Sequence, residues 1–280
     1  MFYLLKCFIQ MKILLNKNDL NEALNGVSSL GFVPTMGSLH EGHITLIKRS
    51  MNECNKTIVS IFVNPTQFNN KKDYKNYPTN RKKDLSILKK LKIDFVFLPN
   101  KREIYNIKRK KNIHIPQKDK ILCAKFRKGH FEGVIDVMDR LTKMIKPNKI
   151  FMGEKDFQQL HLVKKYFKNR DKAQIISCKT VRDRYNLALS SRNLHLNNKG
   201  LFIARFISKH LINFKKSLHK NKDIQKLISN KKKQLNILRN TKIEYLELRD
   251  KFTLKKTSKI KNSKIFIAYY INNIRLIDNF

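Results

Sequence analysis

From residue 30 onward, the chain alternates short apolar runs with longer amphipathic segments, and this alternation constrains the fold most strongly. The apolar runs predict buried strands at 30–33, 58–63, 95–98, 150–152 and 175–178. The amphipathic segments predict helices near 42–54, 80–91, 133–145 and 156–168. Strands that alternate with helices are typical of a parallel sheet covered by helices on both faces. The chain is therefore expected to be an α/β protein whose site lies at the carboxyl ends of the strands.

The composition changes near residue 181, and all 6 prolines lie before residue 148. Helical patterns at 198–218 and 222–239 precede β-like runs at 242–249 and 264–271, which predicts a smaller α+β domain. We expect a first domain over 11–181 and a second over 182–280. Residues 1–15 look superficially like a signal peptide, but Lys6 and Lys12 interrupt the apolar run and no small-residue cleavage site follows. Residues 1–10 are therefore interpreted as an N-terminal extension.

Lys and Arg outnumber Asp and Glu by 61 to 21, which gives a net charge of +40. Such an excess suggests a phosphate-rich partner such as a nucleic acid. The basic residues are scattered, however, and neither an aromatic RNA-binding sequence nor a zinc-finger spacing accompanies them. Lysine, asparagine and isoleucine are abundant and Trp is absent, as expected of an AT-rich genome. We attribute the charge to residue usage and expect no specific nucleic-acid partner.

The apolar runs and the cysteines restrict where the chain works. No run reaches the roughly 18 apolar residues of a membrane-spanning helix, so no membrane association is expected. Cys7, Cys54, Cys123 and Cys178 are widely separated and form no CxxC pair, which argues against a disulfide scaffold or a zinc site. Free thiols indicate a reducing compartment, and we expect a cytoplasmic protein.

The first predicted strand leads into PTMGSLHEGH (34–43), where a tight turn precedes a helix expected to begin near Gly42. A helix N-terminus presents free backbone N–H groups and the positive end of the helix dipole, which suit a phosphate. His40 and His43 are three residues apart and share one face of this turn. Two imidazoles there can donate hydrogen bonds to charge that develops on a phosphate. The segment therefore predicts a phosphate-binding site.

Polar groups also follow the second predicted strand. The neutral amides of Asn64 and Gln67 suit a hydroxyl or a carboxylate, although ordinary loop polarity explains them equally well. Arg127 is another cationic candidate, and the sequence alone favours a solvated basic loop for it.

The fourth and fifth predicted strands are followed by charged and hydroxyl side chains. Lys155 supplies a positive charge for phosphates. Asp156 can cap the next helix or hold a ribose hydroxyl, and the two roles are not exclusive. Ser190, Ser191 and Arg192 can grip a triphosphate, and the alternative is a pair of capping serines beside an incidental arginine.

Five segments, PTMGSLHEGH, VSIFVNPTQF, GHFEGV, FMGEKDFQQL and LALSSRN, together resemble the pantothenate synthetase family of pantoate–β-alanine ligases in order and spacing. The likeness covers essentially residues 11–280. It implies a Rossmann-like ATP domain with a smaller α+β lid domain, a homodimer and Mg²⁺. The implied reaction is the ATP-dependent condensation of (R)-pantoate with β-alanine to pantothenate, AMP and pyrophosphate, through a pantoyl adenylate.

The resemblance also assigns site residues by matching position. It implies catalytic roles for His43, the proton donor, and for His40, Lys155 and Arg192. The implied ATP-binding residues are Met36, Gly37, Ser38, Leu39, His40, Glu41, Gly42, His43, Gly153, Glu154, Lys155, Asp156, Val181, Leu189, Ser190, Ser191 and Arg192. The implied substrate-binding residues are Gln67 and Gln159, which match residues that hold pantoate, together with Asn64 and Arg127.

The chain departs from the family pattern at three places. Thr79 stands where Arg is usual, Lys128 where Pro is usual, and Tyr185-Asn186 where Asp-Gly is usual; the last can alter the stiffness of an interdomain hinge. Two other interpretations remain open. One is a nucleotidyltransferase of the same His-x-Gly-His group that acts on another acceptor. The other is a basic nucleic-acid-binding protein with a decayed active site.

Overall fold

The computed structural model describes residues 10–106, 113–218 and 223–280. Cys7 and nearly all of the predicted N-terminal extension lie outside the described residues. A six-stranded parallel sheet organises the larger part of the chain, with strand order β1-β4-β3-β2-β5-β6. Its strands are β1 (Lys12–Leu14), β2 (Leu30–Thr35), β3 (Lys56–Ile61), β4 (Phe95–Phe97), β5 (Lys149–Gly153) and β6 (Gln174–Cys178). The predicted parallel α/β sheet is confirmed, and β1 is an edge strand that the apolar runs did not predict.

Helices cover both faces of this sheet, because successive residues of a strand point to opposite sides. Phe32 and Ile58 belong to the core beneath α1 (Lys17–Leu24), α5 (Lys101–Tyr105), α7 (His130–Ile145) and α8 (Phe157–Phe167). Their neighbours Val33 and Val59 belong to the opposite core beneath α2 (Glu41–Glu53) and α4 (Arg81–Lys90). Two short helices, α3 (Lys71–Lys75) and α6 (Cys123–Phe126), lie in the connections.

A smaller α+β unit follows, as predicted. It contains α9 (Asn198–Ser217), α10 (Ile224–Asn236) and the strands β7 (Thr241–Asp250), β8 (Ser263–Ile271) and β9 (Ile274–Asn279). The strands form an antiparallel sheet in the order β7-β8-β9. Ile207 and Leu211 of α9 and Ile228 of α10 pack against Ile267 and Tyr269 of β8 in a separate apolar core. Within the described ranges, no helix is long and apolar enough to cross a membrane.

The segment between the two sheets folds as a short hairpin. The amide of Leu189 donates to the carbonyl of Val181 at 3.0 Å, and the carboxylate of Asp183 accepts the amides of Tyr185 and Leu187 at 2.9 Å each. Asn186 adopts a φ of 70° at the tip. Asparagine is one of the few non-glycine residues that enter this region readily. The replacement of the usual Asp-Gly by Tyr-Asn therefore keeps a tight turn.

Apolar contacts also join the helices of the larger unit to the antiparallel sheet. Phe131 of α7 and Leu162 of α8 share a buried cluster with Tyr245 of β7 and Phe266 of β8. The end of β9 reaches the loop after β5, where the side chain of Asn279 bonds to the backbone. The smaller unit therefore lies against the carboxyl ends of the parallel strands.

Candidate active site

A cavity of about 290 Å³ opens at the carboxyl ends of β2, β3 and β5, and the end of β9 completes its wall. Most of the residues predicted from the sequence line it: Met36, His40, Gly42, His43, Asn64, Gln67, Arg127, Gly153, Lys155, Asp156, Gln159, Val181, Leu189, Ser190, Ser191 and Arg192. The other predicted residues, Gly37, Ser38, Leu39, Glu41 and Glu154, belong to the same turns but not to that wall. The fold thus gathers the five sequence segments around one space.

The turn after β2 is held by side chains that accept its backbone amides. Gly37 donates to the hydroxyl of Thr35 at 3.1 Å, and Ser38 and Leu39 donate to the carboxylate of Asp84 at 2.8 Å each. Asp84 lies on α4, is 2% exposed, and was not predicted as a site residue. An acidic residue in an otherwise basic helix was the only local signal for it.

The two histidines complete this pattern. His40 is the N-cap of α2, and its Nδ1 accepts the amide of Gly42 at 3.1 Å. The Nδ1 of His43 accepts the amide of His40 at 3.4 Å. Free backbone donors were expected at this helix start. That expectation was wrong for the amides of His40 and Gly42, because both already donate to the histidine rings. Because Nδ1 accepts a hydrogen bond in both rings, the neutral imidazoles carry their proton on Nε2.

Burial keeps both imidazoles uncharged near neutral pH. It lowers the pKa of His40 to about 4, and the charge of Lys155 adds to this effect. Burial, followed by the proximity of His40, lowers the pKa of His43 to about 3. The ring centroids are 4.1 Å apart. The pair therefore offers two adjacent Nε2–H donors rather than two cations.

The end of β3 is organised by Asn64, which is 1% exposed. Its Oδ1 accepts the amide of Thr66 at 3.2 Å and the hydroxyl of Tyr105 at 2.8 Å, and its Nδ2 donates to the carbonyl of Gly133 at 3.1 Å. The same Nδ2 lies 3.3 Å from Oε1 of Gln67. A Cβ on Gly133 would lie 2.4 Å from the carbonyl oxygen of Thr66, so this packing needs glycine. Asn64 thus orients the amide of Gln67.

Arg127 lies in the cavity wall. The interpretation of its segment as a solvated basic loop, which the sequence alone favoured, is therefore wrong. Its guanidinium donates to Nε2 of His130 at 2.8 Å, and Nδ1 of His130 donates to the carbonyl of Gln67 at 2.7 Å. Burial and the Arg127 charge lower the pKa of His130 to about 3. Burial, with the charges of Arg192 and Arg275, lowers the pKa of Arg127 to about 10, so the arginine remains a cation that favours an anion nearby. His130 was missed, although it stands in the GHFEGV segment.

The turn after β5 carries the second set of charges. Nζ of Lys155 lies 3.3 Å from Oδ1 of Asp156. Burial acts to raise the pKa of Asp156, but the charge and hydrogen bond of Lys155 keep it below its ordinary value. Gln159 lies half-buried on the wall. Nδ2 of Asn279, which was also missed, donates to the carbonyls of Glu154 and Lys155 at 2.8 and 3.0 Å.

The serine–arginine segment follows the hairpin. The hydroxyl of Ser190 accepts the amide of Arg192 at 3.3 Å and caps the 3₁₀ turn, as the simpler interpretation predicted. The hydroxyl of Ser191 donates to the carbonyl of Ser38 at 3.1 Å, which joins this segment to the first turn. The guanidinium of Arg192 pairs with Asp73 at 2.8 Å at the cavity rim.

Comparison with known proteins agrees with this geometry. Residues 11–280 match the family model described as Pantoate-beta-alanine ligase. A pantothenate synthetase of Clostridium botulinum (strain ATCC 19397 / Type A) is 41% identical over 258 residues, which cover 90% of this chain and 91% of the relative. A pantothenate synthetase of Thermosipho africanus is 37% identical over 92% of this chain and 94% of its own length.

Two solved structures share the whole architecture. The pantothenate synthetase of Thermus thermophilus matches with a TM-score of 0.90 at 29% identity and covers 96% of this chain and 99% of its own. The pantoate-beta-alanine ligase of Francisella tularensis, solved with beta-gamma ATP and β-alanine, matches with a TM-score of 0.80 at 37% identity, over 96% of this chain and 97% of its own. These matches do not favour a nucleotidyltransferase with another acceptor. The chain belongs to the pantoate–β-alanine ligase family.

Proposed function

We propose that this chain condenses pantoate with β-alanine at the expense of ATP, through a pantoyl adenylate. One observation carries the proposal: a single cavity in a chain of this family is lined by a neutral imidazole pair, several cationic side chains and a buried carboxamide. The residues are His40 and His43, then Lys155, Arg127 and Arg192, and Gln67. This set provides hydrogen-bond donors and positive charge for a triphosphate beside a neutral polar group for a hydroxy acid.

In the first step, an oxygen of the pantoate carboxylate attacks the α-phosphorus of ATP, and the bond to pyrophosphate breaks. Negative charge grows on the departing pyrophosphate. We assign its stabilisation to the Nε2–H groups of His40 and His43 and to the charges of Lys155 and Arg192. Such a transfer requires positioning and charge neutralisation rather than a covalent nucleophile. The other predicted ATP-binding residues of the cavity wall surround the nucleotide in this proposal, and those outside the wall belong to the turns that carry them.

In the second step, the amine of β-alanine attacks the acyl carbon, and AMP leaves. We assign pantoate to Gln67 and Gln159, with Gln67 also near β-alanine. Asn64 supports this role because it orients the carboxamide of Gln67. Arg127 provides a positive charge beside the same residue. The Francisella tularensis relative, solved with beta-gamma ATP and β-alanine, supports the choice of ligands.

Magnesium accompanies ATP in this proposal. Among the described residues, no group of three or more His, Cys, Asp or Glu side chains is placed to hold a metal ion. The ionised carboxylate of Asp156 on the cavity wall fits a cation that takes most of its ligands from phosphates and water. Bound there, the ion would neutralise phosphate charge.

We also propose that residues 11–181 and 182–280 are the two domains, with the second acting as a lid. The separate apolar cores and the hairpin between them support this division. The family resemblance supports a cytoplasmic homodimer whose partners are its small-molecule substrates, with no specific nucleic acid.

A half-reaction tests the proposal. The protein, supplied with ATP, Mg²⁺ and pantoate but no β-alanine, should form enzyme-bound pantoyl adenylate and release pyrophosphate. Oxygen-18 in the pantoate carboxylate should appear in AMP once β-alanine is added. Pyrophosphate release that does not depend on pantoate, or label confined to pyrophosphate, would contradict the proposed reaction. Acids and amines of other lengths, varied independently, serve as controls for the acceptor.

A further inference from the structure

Asp84 is a buried carboxylate that contacts the turn after β2 from behind. Its Oδ2 accepts the amide of Ser38 and its Oδ1 the amide of Leu39, each at 2.8 Å. It is 2% exposed and stands outside the wall of the described cavity. Both carboxylate oxygens therefore accept hydrogen bonds from the backbone of this turn.

The backbone that Asp84 holds has an unusual conformation. Gly37 has a φ of 80° and Ser38 a φ of 52°, so two successive residues occupy the left-handed region. Glycine adopts this region freely, but serine does so at a cost. A Cβ on Gly37 would lie 2.9 Å from Oδ2 of Asp84, so the carboxylate packs against the glycine backbone. The two charge-assisted hydrogen bonds stabilise a turn that Ser38 alone would not favour.

The next amide in the chain joins this turn to the imidazoles. The amide of His40 follows that of Leu39 and donates to Nδ1 of His43. A shift of the backbone at Leu39 therefore moves His40 and changes the hydrogen bond between its amide and the His43 ring. We propose that Asp84 is a positioning residue for the imidazole pair, an inference that rests on the proposed function for the role of that pair.

The variant Asp84→Asn tests this placement. It preserves size but turns one oxygen into an amide nitrogen, which faces a backbone N–H and cannot accept its hydrogen bond. Adenylate formation should slow by about 10²-fold, the effect of a misplacement of roughly 1 Å. Attack of β-alanine on chemically supplied pantoyl adenylate should change much less. Adenylation that is not slowed would overturn the proposal. Equal slowing of both half-reactions would also overturn it, because loss of folded protein reduces both alike.

Asp94 provides a matched control. Its carboxylate also accepts a backbone amide, from Thr57 at 2.9 Å, and contacts Nζ of Lys56 at 2.8 Å, but neither contact involves the turn after β2. Asp94→Asn should leave the ratio of the two half-reaction rates unchanged. In addition, Asp84→Asn should slow adenylation little further when His43→Ala is already present, because residues that act through one another are not additive. Full additivity would contradict the link.

Hydrogen exchange tests the contact in the unaltered protein, including the case in which Asp84→Asn fails to fold. The amides of Ser38 and Leu39 should be protected far more strongly than those of exposed turns. Rapid exchange at both would overturn the proposal. Failure of the proposed function is distinguishable, since the unaltered protein would then form no pantoyl adenylate while these amides stay protected.

Discussion

The turns after β2 and β5 lie on the same edge of the parallel sheet but are held in different ways. The first has its amides accepted by side chains of the larger unit, namely Thr35, Asp84 and the histidines themselves. The second has two of its carbonyls bound by Asn279, from the last strand of the smaller unit. The amides of the first turn are therefore held within the larger unit, and only its Ser38 carbonyl accepts a bond from outside, from the hydroxyl of Ser191. The second turn depends on a contact with the smaller sheet.

This difference divides the proposed catalytic groups. His40 and His43 stand in the first turn, so their placement does not require the smaller sheet. Lys155 stands in the second, and its backbone carbonyl is one of the two that Asn279 holds. Movement of the smaller sheet would thus remove the donor to the Lys155 carbonyl, whereas the amide contacts of the imidazole turn do not involve that sheet. Substitutions in each turn separate these two modes of support.

The largest effect is expected for His43→Ala, which removes a donor from the locally held turn. Loss of one preorganised donor costs about 10²–10³ in rate. Adenylate formation should slow by about this factor, measured in single-turnover experiments with pantoate and ATP, and ATP affinity should change much less. Amine attack on supplied pantoyl adenylate should be far less affected. The exposed His210 gives the control His210→Ala, and a loss confined to the second step would contradict the assigned role.

A smaller effect is expected for Asn279→Ala, which breaks the tie between the units. Asn279 is 3% exposed, and its removal leaves the carbonyls of Glu154 and Lys155 without that donor. The free energy of unfolding should fall by about 1–3 kcal/mol. If one such bond also orders the ATP segment, the KM for ATP should rise about tenfold. Asn273→Ala, in the exposed turn between β8 and β9, is the control. An unchanged KM would show that the smaller unit does not support this turn.

The pH dependence of stability distinguishes the turns after β2 and β5, and its measurement requires no substrate. The pKa values of His40 and His43 fall from 6.5 to about 4 and about 3 on folding, and that of His130 to about 3, because burial disfavours the charged ring. The unfolded chain therefore binds more protons between about pH 6.5 and 3. Stability should be fully present above pH 6.5 and decline as the pH falls through this window.

Denaturant titrations at pH 7, 6 and 5 measure this slope. Asp156, in the second turn, has a pKa below its ordinary value of 3.8 and adds its loss only at lower pH. His43→Gln should flatten the decline between pH 6.5 and 5, because the variant lacks one of the titrating rings. A slope that stays the same in His43→Gln would show that the ring is not buried in the folded state.

The sequence predicted what depends on local spacing. The strand periods, the turn at 34–43 and the three-residue separation of His40 and His43 are properties of neighbouring residues. The residues that it missed act over long separations: Asp84 is 46 positions from Ser38, and Asn279 is 125 positions from Glu154. Nothing in a single sequence pairs groups so far apart.

Two further differences also have tertiary causes. Strand β1 spans only Lys12–Leu14, which is too short for an alternation of apolar and polar residues to be recognised. The strand is defined by its pairing with β4. The free helix-start amides were expected from the general behaviour of helix N-termini. Capping by imidazole nitrogens is specific to the ring orientations that the fold imposes.

The smallest effect is expected for Glu154→Gln, which changes the same turn that Asn279 holds. Its carboxylate lies 4.0 Å from Nζ of Lys264, and the two side chains are 29% and 21% exposed. A partly exposed pair at this distance contributes roughly 0–1 kcal/mol, whereas the Glu154 carbonyl that Asn279 binds is unchanged by the substitution. The melting temperature and the KM for ATP should therefore stay close to those of the unaltered protein, and a change as large as that of Asn279→Ala would show that the Glu154 side chain holds the turn.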